Sequence, residues 1–382
     1  MATADHGEVA GNNAPPAPRA NPDLLGHESA ENALRRLFAS GRMPHALLLS
    51  GPRGIGKATL AFRFARFVLA HGAGDAAPRG LLGDDEGGLA VAADSGVFRR
   101  VASGGHADLL TVERAYDSRR RRLRSEIVVD DTREIATFLR LTPAEGGWRV
   151  VIVDGADEMN RNAANALLKI LEEPPRRALL LLVAHSPGRL LPTIRSRCRR
   201  FPMAPLPPAI VARLLARYRP DLPEAQAAAL TVLAAGSIGR AIDLAGAGGV
   251  ELYESVLALL SREQGIDPAA LHAFADRLAR GEADGAYRAV EELVSQLLAE
   301  IAVAAARRIP EPPAGLPTGL APAGLSPASH PALRRLGARA PAARWAELRE
   351  EIGQSFARTD ALNLDRKQTI LGAFFAIERV AR

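Results

Sequence analysis

The chain has 382 residues, of which 47% are hydrophobic and 24% are charged, and its formal net charge is +6. This balance is that of a folded globular protein and excludes a mostly disordered chain. The single cysteine excludes an intrachain disulfide and a zinc site of clustered cysteines. No apolar run approaches the roughly 18 residues of a membrane span and no secretory leader is apparent, so we expect a cytoplasmic protein without a membrane anchor.

The first half of the chain alternates short apolar runs with helical patterns. Residues 1–20 are rich in Ala, Pro and Asn and predict a disordered tail, and residues 72–106 predict a surface insertion. Because the predicted strands are continuously apolar and separated by helices, we expect an α/β domain with a parallel sheet. The predicted helices cover about 22–39, 57–69, 132–139 and 160–173, and the predicted strands cover about 45–50, 109–112, 127–129, 148–153 and 178–184.

The strand patterns stop after Pro207, and the rest of the chain has helical patterns. Two or three short helices are predicted within 208–246, and further helices from about 250 to the end, interrupted by a proline-rich stretch at 309–327. We therefore predict an α/β domain at 21–203, a small helical domain at 204–246 and a helical C-terminal domain at 247–382. Phe374 and Phe375 are bulky apolar anchors for that last domain.

A glycine-rich loop joins the predicted strand at 45–50 to the following helix. It contains Gly51, Gly54 and Gly56 and ends in Lys57, in the Gly-x4-Gly-Lys spacing of a phosphate-binding loop. Glycines allow the backbone to turn its N–H groups toward phosphate oxygens, and the helix N-terminus adds a favourable dipole. Only three of the 49 cationic residues are lysine, so a lysine at this position is informative.

Two positions that normally serve hydrolysis of a bound nucleotide are altered. The residue after the lysine is Ala58 instead of a hydroxyl residue that coordinates Mg²⁺, and Thr59 lies one position later. The second acidic motif ends at Asp154, which fits a magnesium site, but Gly155 follows in place of the usual glutamate. This pattern favours a phosphate-loop protein that does not hydrolyse ATP, with the cradle retained for binding or only as a scaffold.

Two acidic residues follow this motif closely, at Asp157 and Glu158. We expect them to support the N-terminus of the next helix electrostatically. The alternative is an active ATPase in which Thr59 and one of these two carboxylates replace the lost groups.

Three further motifs resemble the AAA+ clamp-loader family of DNA polymerase III. They are the Asn-Ala-Leu-Leu-Lys-Ile-Leu-Glu-Glu-Pro-Pro sequence at 165–175, the Thr-Ile-Arg-Ser-Arg-Cys sequence at 193–198 and Arg-Met-Pro-His-Ala at 42–46. Within this family the chain is similar to the delta-prime type, because active gamma and tau subunits keep the hydroxyl and glutamate that this chain lacks. Relatives often carry a zinc module built from four cysteines. This chain has a single cysteine, so no zinc is expected here.

The resemblance implies roles for particular residues and a set of partners. Arg197 would be an arginine finger acting in trans, Arg240 a nucleotide sensor, and His185 or Ser186 a polar sensor. An ATP site is implied, but its occupancy is left open. The implied partners are gamma/tau and delta subunits, with the sliding clamp and primed DNA reached through the complex, and the C-terminal domain would form an oligomeric collar.

Two other interpretations remain open at this stage. A gamma/tau-like active ATPase would turn over ATP as an isolated chain. A nucleic-acid-binding module would use the arginine-rich stretch at 119–124, where contacts to the phosphate backbone would be independent of sequence.

Overall fold

The computed structural model describes residues 14–72, 88–117, 122–145, 147–262, 264–279, 284–307 and 330–382. The chain divides into two compact units. The first comprises Met1–Tyr218 and Gly236–Gly239, and the second comprises Arg219–Ala235 and Arg240–Arg382. The division into three domains with boundaries at 203 and 246 stays a prediction.

The first unit is built on a five-stranded parallel sheet, which confirms the predicted α/β class. The strands lie in the order β2-β5-β6-β1-β7, and each neighbouring pair is parallel. A separate antiparallel hairpin is formed by β3 and β4. The strand bounds are β1 Ala46–Ser50, β2 Leu109–Val112, β3 Tyr116–Asp117, β4 Arg122–Leu123, β5 Arg149–Asp154, β6 Ala178–Ala184 and β7 Arg199–Pro202.

Both faces of the central strands are buried, which explains their continuously apolar sequences. All seven residues of β6 are buried. Side chains alternate across a strand, so Leu179 and Leu181 enter one apolar cluster, whereas Leu180 and Leu182 enter the cluster on the opposite face. The helices described in this unit are α1 Glu28–Ala39, α2 Lys57–His71, α3 Gly96–Ala102, α4 Val129–Arg140, α5 Arg161–Glu172, α6 Pro192–Arg197 and α7 Pro208–Tyr218. Helices α1 to α6 contribute side chains to these two clusters.

One predicted strand is wrong, and three short strands of the described structure were not predicted. Within the stretch 127–129, Ile127 makes only a single bridge to Met159, and α4 already begins at Val129. The helix starts there because the Val128 N–H donates to the Asp131 carboxylate at 2.8 Å. The unpredicted strands are the two-residue β3 and β4 and the longer β7. β7 is polar and partly exposed because it lies at the edge of the sheet.

The region predicted as a surface insertion contributes to the core. Residues 73–87 lie outside the described residues. Beyond them, Leu89, Phe98 and Val101 are buried, and Phe98 and Val101 belong to α3, which packs on α2. The prediction of an insertion is therefore wrong for this second part, because its apolar side chains cover α2.

The last residues of the predicted tail at 1–20 are ordered, because Pro18–Ala20 form a turn of 3-10 helix. We call residues 18–23 the N-terminal strap. The guanidinium of Arg66 is fully buried beneath it and donates to the carbonyl oxygens of Arg19 at 2.8 Å and Asn21 at 2.7 Å. The helix predicted from residue 22 begins instead at Glu28, because the strap carbonyls bind arginines of α2 and do not continue a helix.

The second unit is helical, as predicted for this part of the chain. Tyr287 and Phe356 stack in its interior with ring centroids 5.1 Å apart. Phe374 is buried against Phe274 at 6.0 Å, whereas Phe375 is 41% exposed. The helices are α8 Glu224–Leu233, α9 Ile238–Gly246, α10 Gly249–Ser261, α11 Pro268–Ala279, α12 Asp284–Arg307, α13 Pro331–Gly337, α14 Ala342–Leu362 and α15 Arg366–Ala381, with the first two residues of α9 in the first unit.

The predicted proline-rich interruption and the predicted absence of a membrane span also concern this half of the chain. The proline-rich stretch at 309–327 lies outside the described residues. Among the described helices, none is by itself long and apolar enough to cross a membrane, and the one pair that would pass together, α9 and α10, is bent by 83°.

A half-buried carboxyl on α12, that of Glu291, should make the stability of the protein depend on pH. Burial and the Asp360 carboxylate raise the pKa of Glu291 from its ordinary 4.5 to about 7. The folded state therefore binds the proton more tightly, and stability falls as pH rises from about 4.5 to about 7. We expect Glu291→Gln to raise Tm at pH 8 and to leave it unchanged near pH 4. Calorimetry across this range, with the exposed Glu254→Gln as control, tests this, and an equal Tm at pH 8 would contradict it.

Candidate nucleotide site and arginine finger

The glycine-rich loop lies where β1 ends and α2 begins, near the middle of the sheet. The Gly51 N–H donates to the Ala184 carbonyl oxygen at 3.3 Å, which fixes the start of the loop to the end of β6. Gly54 and Gly56 have φ angles of +75° and +101°, a region that non-glycine residues rarely adopt. Strand end, loop and helix N-terminus thus have the arrangement that the sequence predicted for a phosphate cradle.

Neighbouring backbone closely surrounds this loop. A Cβ atom on Gly51 would lie 2.3 Å from the Met203 carbonyl oxygen, so no side chain fits there. The Gly239 N–H donates to the Gly54 carbonyl oxygen at 3.0 Å, and a Cβ on Gly54 would lie 2.4 Å from Ser237 Oγ. The segment 236–239 therefore packs directly on the loop within the first unit.

Lys57 is buried, with its ammonium group turned onto the loop itself. Nζ donates to the carbonyl oxygens of Gly51 at 2.8 Å and Pro52 at 2.5 Å. Burial lowers the pKa of Lys57 to about 8, against the opposing effect of the Asp154 carboxylate. The glycines, the lysine and the helix N-terminus fit a phosphate group.

The residues present do not complete the usual magnesium site beside that cradle. Ala58 offers no oxygen, and Thr59 is buried within α2. Asp154 ends β5, where burial and the Glu113 carboxylate raise its pKa to about 6. Among the described residues, no group of three potential metal-ligating side chains is assembled. Asp154 thus lacks the side-chain hydroxyl with which it would usually hold Mg²⁺ beside the loop.

Gly155 has a backbone conformation that disfavours the missing glutamate. Its φ angle is +79°, and a Cβ atom there would lie 2.6 Å from Glu158 Oε2. That Glu158 oxygen is held at 2.8 Å by Nε of Arg114. The space in which a glutamate side chain would begin is thus occupied by an ion-paired carboxylate.

Asp157 has a structural role that the sequence did not predict. Its two carboxylate oxygens accept hydrogen bonds from the backbone N–H groups of His185 at 2.9 Å and Ser186 at 2.7 Å. Asp157 anchors the end of β6, and Glu158 pairs with Arg114, whereas their electrostatic support of the next helix stays a prediction. Neither carboxylate is available as a replacement for a catalytic base without losing those contacts.

The predicted polar sensor residues follow β6 directly. Burial and the Lys57 ammonium lower the pKa of His185 to about 4, so its ring is neutral at physiological pH. The sensor role of His185 or Ser186 stays a prediction.

Two residues beside the loop were missed by sequence reasoning. His27 is buried, and its Nε2 lies 2.6 Å from the Ile55 carbonyl oxygen. A Cβ atom on Gly56 would lie 3.1 Å from Leu24 Cδ1. Both precede α1, far from the loop in sequence, and no spacing pattern distinguishes them, so only the fold reveals that they border the site.

Arg197 lies at the end of α6 and remains partly exposed. Its Nη2 is 2.9 Å from Glu172 Oε1, and Nη1 donates to the Thr193 carbonyl oxygen at 3.1 Å. The side chain is 37% exposed. The arginine is therefore held at the surface with accessible guanidinium area, as an in-trans finger would require.

Arg240 lies in the second unit and has partners there. Its Nη2 donates to the Glu292 carbonyl oxygen at 3.4 Å, and its Nε is 3.7 Å from the Glu292 carboxylate. Burial lowers the pKa of Arg240. Its sensor role stays a prediction, and the observed contacts are those of local pairing.

Within the arginine-rich stretch at 119–124, Arg122 and Leu123 form β4, which pairs with β3. Arg119, Arg120 and Arg121 lie outside the described residues, so direct contact with DNA remains a prediction.

The fold and the loop together define a class of protein. A phosphate loop follows β1, which lies between β6 and β7, and an acidic residue ends β5 in the same parallel sheet. This is a phosphate-loop NTPase-type domain of the AAA+ class, with an incomplete hydrolytic site.

Comparison with known proteins shows which members of this class the chain is similar to. The family described as "DNA polymerase III, delta subunit" matches residues 26–207. The chain is 37% identical over 231 residues to DNA polymerase III subunit delta' of Pseudomonas aeruginosa, covering 59% of this chain and 64% of that protein. It is also 34% identical over 195 residues to subunit gamma/tau of Mycobacterium bovis, covering 51% and 30% respectively. The chain thus spans less than two thirds of either relative.

Residues 26–207, just under half of the chain, are thus similar to subunits of DNA polymerase III. A gamma subunit-related protein from Thermotoga maritima aligns over 92% of this chain and 99% of its own, with a TM-score of 0.37 and 17% identity.

Proposed function

We propose that the chain is a delta-prime-type subunit of the DNA polymerase III clamp loader. In this role it does not hydrolyse ATP and supplies Arg197 to the ATP site of an adjacent gamma/tau subunit. Its partners are the gamma/tau and delta subunits, and it reaches the sliding clamp and primed DNA through the complex, in the cytoplasm. An arginine supplied in trans stabilises negative charge on the transferring phosphoryl group.

The observation that carries this proposal is the backbone conformation and the side-chain contacts of the residues that follow Asp154. Gly155 is left-handed, Glu158 is paired with Arg114, and Asp157 is bonded to two backbone N–H groups. Asp157 and Glu158 cannot replace the missing glutamate without losing these contacts, while Arg197 remains exposed at the surface. A subunit that completes its neighbour's site, and not its own, accounts for both facts.

The proposal predicts the effect of Arg197→Ala on the reconstituted loader. We expect ATP hydrolysis stimulated by DNA and clamp to fall tenfold or more, because the neighbouring site loses a cation that stabilises the transition state; fingers of this kind contribute about 10³–10⁵ in rate. The measurement is steady-state turnover, with assembly checked by gel filtration. Arg200→Ala removes an exposed arginine three residues away and is the matched control. Equal rates of ATP hydrolysis for wild type and Arg197→Ala would contradict the proposed role of Arg197 as an arginine finger.

The alternative is a gamma/tau-like subunit with its own turnover, which the similarity to the gamma/tau relatives keeps in view. Turnover by the isolated chain, abolished by Lys57→Ala, would favour it. Binding of ATP to the isolated chain without turnover is compatible with the delta-prime proposal.

A further inference from the structure

Arg197 is held by two contacts that come from different helices. Nη1 donates to the carbonyl oxygen of Thr193, one turn earlier in α6, and Nη2 pairs with the carboxylate of Glu172, the last residue of α5. These are the carbonyl and carboxylate acceptors that a planar guanidinium binds with defined geometry. The plane of the guanidinium is thus fixed at two of its three nitrogens.

The frame behind these contacts is rigid. Ile194 of α6 and Leu171 of α5 are buried in the same apolar cluster, which fixes the two helix ends relative to each other. Glu172 itself is exposed, with 51% of its side chain accessible. An exposed carboxylate on a fixed helix end can orient an arginine while leaving the other guanidinium N–H groups for a second acceptor.

We propose that Glu172 is a positioning residue for Arg197, holding its guanidinium in the orientation in which it meets the γ-phosphate of the neighbouring subunit's ATP. This inference rests on the proposed function. An arginine side chain has many rotamers, and one already ordered loses less entropy when it engages the phosphate. A polyphosphate carries more charge than the single exposed carboxylate, so the ion pair orients the arginine without retaining it.

The local charges favour the same role. Arg195, Arg199 and Arg200 flank the finger in sequence, and like charges repel. Glu172 is the acidic partner observed for Arg197, which opposes displacement of the guanidinium by its neighbours. Glu173, the next residue and also exposed, is not the partner in this ion pair and serves as a matched control.

A mutant cycle in the reconstituted loader tests this proposal. The variants are Glu172→Ala, Arg197→Ala, their combination, Glu172→Gln and the control Glu173→Ala. We expect Glu172→Ala to lower kcat of the stimulated ATPase by roughly three- to tenfold with little change in KM for ATP. It should have no further effect when Arg197 is already alanine. Glu172→Gln, which keeps an oxygen acceptor, should be intermediate.

Several outcomes would overturn the inference. If Arg197→Ala is defective and Glu172→Ala matches wild type, the finger stands but Glu172 does not position it. A rise in kcat for Glu172→Ala would mean that the carboxylate restrains the finger. An equal further loss in the Arg197→Ala background would mean that Glu172 acts independently of the finger. If Arg197→Ala itself has no effect, the proposed function fails, and the positioning role with it.

Discussion

A Gly51→Ala variant is expected to lose about 3 kcal/mol or more of folding stability. The added Cβ would lie 2.3 Å from the Met203 carbonyl oxygen, which is backbone and cannot rotate away. Met203 is itself fixed, because its N–H donates to the Ser50 carbonyl oxygen at 2.7 Å. Relief of the overlap would therefore have to separate the end of β1 from the chain that follows β7.

Denaturant unfolding of the purified full chain measures this loss, and a fall in soluble expression should accompany it. Gly188→Ala is the matched control, because a Cβ atom at Gly188 meets nothing within 4 Å. We expect that control to stay within about 0.5 kcal/mol of the wild type. Wild-type stability for Gly51→Ala would show that the loop and the end of β7 can separate freely.

The Arg66→Met variant should lose a similar amount, about 3–4 kcal/mol. Methionine keeps an unbranched apolar side chain, but the strap carbonyls of Arg19 and Asn21 lose their donors. Stacking of the guanidinium on the Phe98 ring, at 4.5 Å from its centroid, is lost as well. The strap should then detach from α2.

Two measurements separate detachment from global unfolding. Denaturant unfolding reports the loss of stability, and limited proteolysis reports earlier cleavage between residues 14 and 27. Arg99→Met, on the exposed side of α3, is the control and should change neither. Wild-type resistance to both treatments in Arg66→Met would show that the arginine contributes little to holding the strap.

Most of the central fold could be predicted because its signals are local. β1, β5 and β6 are runs of apolar residues, and β1 leads into a glycine-rich loop whereas β5 ends in an acidic residue. The helix after Asn160 carries its own cap. The edge strand β7 escaped prediction because its burial is low and its residues are polar. Sheet edges generally lack the apolar pattern on which strand prediction depends.

The candidate site was predictable only where its residues are contiguous. The loop from Gly51 to Lys57 and the acidic strand end at Asp154 follow motifs of fixed spacing. His27 borders the loop through a hydrogen bond to a residue 28 positions away, and Asp157 binds backbone N–H groups 28 and 29 positions away. Such contacts depend on tertiary structure, and no periodicity in the sequence encodes them. Arg66 illustrates the same limit, since a fully buried arginine contradicts composition-based expectation.

The backbone at Gly155 also determines how easily a lineage carrying this sequence could regain hydrolysis. A glutamate introduced there alone would have to adopt a φ angle near +79° and displace the Glu158 carboxylate from Arg114. Its side chain would still lack the hydroxyl partner missing at Ala58. Under the proposed function, a single substitution at residue 155 would therefore not restore hydrolysis, because the backbone there and the residue at position 58 would have to change as well.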